Sequence, residues 1–152
     1  MSKEIPFAEL EIGMKFGPIP FIADEKGIER YCAEMKDPNP WYLKESPFGG
    51  AVVPPLFQAT LVGLRMMGTR HDTHATVPTK LIQKNIRPAR VGEKLTFSGT
   101  LVKKYIKRGM EYAVIESVIV DESGNEIRRV TDHFLLSLEK VDAPDAFHGE
   151  RD

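Results

Sequence analysis

The sequence holds a single cysteine, Cys32, which excludes an intrachain disulfide framework and makes a reducing, cytoplasmic setting the expectation. An excess of charge of one sign is missing too. Its 21 Lys and Arg against 22 Asp and Glu leave a net charge of -1, so no nucleic-acid footprint is expected. The first residues, Met1-Ser2-Lys3-Glu4, lack the apolar stretch of a signal peptide. One run, Ser46 to Leu64, carries no charge, but Gly49-Gly50 and Pro54-Pro55 break it, and no membrane span is expected. Internal repeats and low-complexity segments are absent. His71 and His74 form a close pair without a third ligand nearby, and a metal site usually needs three or four, so no metal is expected.

What is present suits one domain. The 152 residues are 41% hydrophobic and 28% charged, enough to bury a real core and too apolar for disorder. Ile28, Tyr31, Cys32 and Met35 recur at helical spacing, predicting a helix over residues 24–35 with Asp24 as its N-cap. Asp37 precedes a proline and is pushed out of the α region, which stops the helix. Asp37-Pro-Asn-Pro-Trp-Tyr42 then reads as a stiff loop.

A second, long helix is predicted to start at Pro54-Pro55, because proline suits a first turn. Leu56, Ala59, Thr60, Gly63, Met66 and Met67 form one stripe, and Phe57, Leu61, Val62 and Leu64 make the other side apolar as well. A helix apolar nearly all round is buried on all sides. The wrapper is predicted to be a curved antiparallel sheet, with strands over residues 79–86, 95–104, 112–121 and 126–138. Arg108-Gly109 and Asp121 to Asn125 are the turns between the last three. The domain is expected to span residues 1–141, with 142–152 a loose polar tail. Asp132 shares the phase of Val130, Phe134 and Leu136, a polar group on an apolar face.

Asp37-Pro-Asn-Pro-Trp-Tyr42 followed by Phe48-Gly-Gly-Ala-Val-Val-Pro-Pro55 resembles the hydratase motif of the MaoC-like hot-dog family. Arg87-Pro-Ala-Arg-Val-Gly-Glu-Lys-Leu95 is similar to that family's later strand-connecting loop, and order and spacing match over roughly residues 6–138. The resemblance implies an α+β single hot-dog fold, a long central helix wrapped by a curved antiparallel sheet. It also implies an activity, hydration of enoyl-thioesters or dehydration of 3-hydroxyacyl-thioesters. That chemistry uses an aspartate and a histidine around one water, and a backbone N–H that polarises the thioester carbonyl.

Asp37 stands at the aspartate position, but Tyr42 stands where the family has histidine, and Pro55 where it has the N–H-donating glycine. A tyrosine with its reference pKa near ~10 is a poor base at neutral pH. Proline has no N–H to give; Leu56 carries the next one. Tyrosine and the double proline resemble the FAS1-like dehydratase branch, whose degenerate half shapes the acyl tunnel while a partner supplies the Asp/His dyad.

The resemblance therefore implies Asp37, Tyr42 and Asn39 as catalytic or water-holding residues. Trp41, Gly49, Gly50, Leu56, Lys84 and Arg87 are the expected substrate contacts, the last two near the phosphates of coenzyme A or of a phosphopantetheine arm. Each also has a plain structural reading: Asp37 and Asn39 as turn formers, Trp41 and Tyr42 as loop packing, the glycines as a turn, the cations as solvated surface. No separate cofactor is expected. The expected partners are the acyl-thioester and a second hot-dog chain, as a homodimer or as a heterodimer with a catalytic MaoC-like subunit. A self-sufficient homodimeric hydratase and a non-enzymatic acyl-thioester binder are the other readings.

Overall fold

Turn chemistry and apolar alternation between residues 94 and 135 build the centre of the molecule. In the computed structural model, which describes residues 6–57 and 77–149, strands β3 (Lys94–Lys107), β4 (Met110–Asp121) and β5 (Glu126–Leu135) form an antiparallel meander. Arg108 and Gly109, both at positive φ, make the two-residue turn between the first pair. Asp121 closes the second turn, its Oδ1 accepting from the N–H groups of Ser123 and Asn125 at 3.0 and 2.9 Å.

Strand β2 (Val77–Asn85) adds antiparallel to β5, and β1 (Lys15–Ile22) adds to β3, for a path β1-β3-β4-β5-β2. The meander and the strand near residues 79–86 follow the sequence prediction within a few residues. Strand β1 does not appear in it, and its Gly17-Pro18 and Pro20 are residues that ordinarily interrupt a strand. The contradiction resolves at the edge of the sheet. There, prolines cost no interior ladder bonds, and the register shifts between Phe16 and Ile19. Gly17 is required at that shift: its φ is +85° and a Cβ would lie 2.7 Å from the Phe97 carbonyl oxygen.

The expected loose tail also needs correction. Within it, β6 (Ala146–Gly149) pairs with β3 from Lys103 to Ile106, and Phe147 stacks on Tyr105, itself stacked on Tyr112 with centroids 4.8 Å apart. That pairing is non-local and leaves little periodic signal in four residues.

One face of the sheet carries the core. Leu95, Phe97 and Leu101 of β3, Ala113, Ile115 and Ile119 of β4, and Ile127 and Phe134 of β5 pack there. Helix α1 (Glu25–Met35) lays Ile28 and Cys32 into the same cluster. Its N-cap is Asp24, whose Oδ1 accepts from Gly27 N–H at 2.8 Å, and Lys36 at φ 54° ends it. Residues 55–57 are helical, and Phe57 joins the core. The rest of the expected long helix, with His71 and His74, lies outside the described residues. None of the described helices is long and apolar enough to cross a membrane.

Candidate functional site

The chain leaving α1 is held by its own polar groups. Asp37 N–H donates to Cys32 O at 2.9 Å, and Asp37 Oδ1 then accepts from Asn39 N–H at 3.2 Å. Asn39 passes the pattern on, its Oδ1 accepting from Trp41 N–H at 3.0 Å. Asn39 is thereby the N-cap of a one-turn helix, α2 (Pro40–Leu43), with Pro40 in the first turn. The segment read as a stiff loop is a capped helical turn; prolines that break a helix interior are compatible with its start.

This turn brings Tyr42 back toward Asp37 and Cys32. Burial, then the neighbouring Asp37 carboxylate, raise the pKa of Tyr42, so its phenol is protonated at neutral pH. The same two causes raise Cys32. A protonated phenol at Tyr42 can donate a hydrogen bond but has no capacity to act as a base near pH 7. Asp37 is half-buried and lines a groove of about 550 Å³ with Cys32, Lys36, Pro38 and Leu43.

Trp41 is exposed and meets Phe48 edge-on at 6.1 Å between centroids. Phe48 tops a tight turn from Ser46 to Gly50: Ser46 Oγ donates to Gly50 O at 2.6 Å and accepts from Phe48 N–H at 3.2 Å. Gly49 and Gly50 adopt φ of +81° and +92°, and a Cβ on Gly50 would meet nothing within 4 Å. Their requirement is the backbone turn. The next residues zip onto the loop before β3, Val53 N–H donating to Ala89 O at 2.8 Å and Val91 N–H to Ala51 O at 3.0 Å. Tyr31 packs edge-on to Phe57 at 5.4 Å, tying α1 to the helical turn where Pro55 stands and Leu56 is half-exposed. Pro55 leaves that turn one N–H short.

The two expected phosphate contacts part company. Lys84 is exposed on β2. Arg87 is consumed by acids: Nη2 donates to Glu93 Oε1 at 2.5 Å and Asp121 Oδ2 at 2.9 Å, and Nη1 to Glu93 Oε2 at 3.1 Å. Hydrogen bonding from Arg87 holds Asp121 down to about 2 and lowers Glu93. Arg87 thus braces the loop that carries Ala89 and Val91. Sequence reasoning missed this because Asp121 is 34 residues away. Among the described residues no group of three or more His, Cys, Asp or Glu is placed to hold a metal.

The family model for the FAS1-like dehydratase domain region matches residues 11–130, which include the Asp37 turn, the glycine turn and the Arg87 loop. The chain belongs to the FAS1-like dehydratase family. This places it among MaoC-like hydratases and dehydratases, and its α+β architecture is a single hot-dog fold.

Solved structures similar to this FAS1-like dehydratase chain agree on the fold. The monoamine oxidase regulatory protein of Archaeoglobus fulgidus superposes with a TM-score of 0.75 at 16% identity, over 89% of this chain and 95% of that one. The (R)-hydratase of A. caviae involved in PHA biosynthesis gives 0.71 at 17% identity, over 84% and 97%. The HadBC (3R-hydroxyacyl-ACP dehydratase) complex of Mycobacterium tuberculosis gives 0.69 at 17%, over 82% and 96%. At these identities the likeness shows the fold alone. No curated protein matches in sequence.

Proposed function

We propose that this chain is the acyl-thioester-binding subunit of an enoyl-thioester hydratase or 3-hydroxyacyl-thioester dehydratase, working beside a catalytic hot-dog partner. The observation that carries the reading is Tyr42: its phenol stays protonated beside Asp37 where the chemistry needs a base. Pro55 adds a second deficit, since a donor to the thioester oxygen is missing from the first turn and one such donor is worth on the order of 100- to 1000-fold in rate. Asp37, Asn39 and Tyr42 hold water or the thioester end. Trp41, the Gly49-Gly50 turn and Leu56 frame the acyl group, and Lys84 meets the phosphates of coenzyme A or of a phosphopantetheine arm. Arg87 positions the loop beneath them.

The partner docks on β2. This strand is the end of the sheet path, and Leu81, Ile82 and Ile86 are 44%, 50% and 51% exposed along it. An open, apolar edge of about 30 Å is a template for another strand. The HadBC dehydratase complex supports pairing as the working state.

Hydration of a short and a long enoyl-CoA, followed by loss of the conjugated thioester absorbance, tests the reading. The chain alone should bind and not turn over; an added MaoC-like subunit with an Asp/His dyad should restore turnover. Steady turnover by the pure chain, abolished in Asp37→Asn, would instead establish a self-sufficient homodimer. The half-buried Asp37 over its groove is what favours that second reading.

A further inference from the structure

The register of β5 changes at its start. Val120 faces Glu126 and Ile119 faces Arg128, so Ile127 has no opposite residue. The extra residue breaks the alternation, and Ile127 and Arg128, neighbours in sequence, are both buried, at 1% and 5% exposure. Arg128 faces Ile119 of the core and, on its other side, Asn85 of β2. Its guanidinium therefore lies on the sheet face that packs the core. It is the one buried charged residue among those described.

Its polar company is incomplete. Arg128 Nε donates to Asn85 Oδ1 at 2.9 Å, and Gln83 Nε2 donates to the same oxygen at 3.0 Å. These two donors fix the orientation of both amides, because each requires an acceptor at Asn85 Oδ1. Arg128 Nη1 and Gln83 Oε1 remain, both buried and both without a hydrogen-bond partner among the described residues. Arg128 has no salt bridge among the described residues, unlike Arg87 and Arg129. Asp132, on the same face, sits four residues along the strand, roughly 13 Å away. A buried cation without a counter-charge is costly, and an orphaned donor beside it adds to the cost. Asn85 is exposed, so the network opens toward the β2 edge.

We propose that Arg128, with Asn85 and Gln83, is a binding site for a carboxyl group carried on the acyl chain, which makes the substrate class a dicarboxylic acyl-thioester. One carboxylate oxygen accepts from Arg128 Nη1, supplying the missing charge. Ile127, next to Arg128, belongs to the core cluster that includes Phe57, and Ile86 N–H, one residue past Asn85, donates to Ile127 O at 3.0 Å. It is thus joined through the Arg87 loop to the segment that bears the glycine turn. This inference rests on the acyl-thioester reading and narrows it.

The test compares binding of succinyl-CoA and butyryl-CoA, equal in acyl length and differing in the terminal carboxylate, by calorimetry on the full chain. Wild type should prefer succinyl-CoA by at least about tenfold. Arg128→Met should abolish the preference while leaving butyryl-CoA affinity within about twofold. If Arg128→Met does not fold, Asn85→Leu at an exposed position serves instead and should shrink the preference, since Nε loses its acceptor. Equal binding of the two esters by wild type overturns the carboxyl site alone. A preference that survives either variant overturns its assignment to Arg128. Binding of neither ester overturns the acyl-thioester reading as well.

Discussion

The Asn39 backbone N–H donates to Asp37 Oδ1 at 3.2 Å, so the candidate carboxylate is also the first brace of the α2 turn. Asparagine keeps that acceptor and removes the charge. Asp37→Asn should leave the far-ultraviolet spectrum and melting temperature unchanged and lower the pKa of Tyr42, which Asp37 helps to raise. Tyrosine titration followed by NMR reads the shift. In the complex with a catalytic partner the variant should lose less than about tenfold in rate; a loss of 100-fold or more would make Asp37 itself the acid–base group.

Docking on β2, as proposed, would make association sensitive to charge. Ile82→Lys and Leu81→Glu place ions in the middle of an apolar strand edge whose side chains are half-exposed. Light scattering should show the mass of one chain for these variants and a larger mass for wild type or its complex. An unchanged mass would move the interface elsewhere.

Burial raises Asp132 from 3.8 to about 6. Between those values the folded chain binds more protons than the unfolded one, so stability falls as pH rises from about 4 to about 6, and the cost is complete above that. Asp132→Asn removes the cost. Its melting temperature should exceed that of wild type by on the order of 5 °C at pH 7.5 and equal it at pH 3.5. A constant difference across this range would rule out titration of Asp132 as the cause.

The Arg87 cluster works in the opposite direction. Asp121 is depressed to about 2 and Glu93 is lowered, both first by hydrogen bonds from Arg87. Their stabilisation is full above the unfolded carboxylate values near ~4 and is lost as pH falls toward 2. Arg87→Gln should melt several degrees lower at pH 7 and show a flatter loss of stability in acid than wild type. A parallel acid profile would mean that the cluster does not set it.

Helix α1 was legible because its signals are local: Asp24 caps Gly27 three residues on, and Ile28 and Cys32 share one face. The β3–β4 and β4–β5 turns were legible for the same reason, through Arg108-Gly109 and the Asp121 turn. The resemblance pointed to Asp37, Asn39 and Tyr42 as the candidate site, and the missing N–H at Pro55 follows from covalent chemistry alone.

Tertiary structure decided the rest. Strands β1 and β6 exist because distant parts of β3 offer them a ladder, 85 residues away for Lys15 and Thr100 and over 40 for Phe147 and Tyr105. Whether a cation is free or spent depends on what the fold sets beside it: Arg87 meets Asp121 across 34 residues, while Arg128, in phase with Val130 and Phe134, meets only the Asn85 amide across 43. Periodicity assigns faces only while alternation holds. A bulge that only strand pairing defines sets Ile127 on the core face beside Arg128.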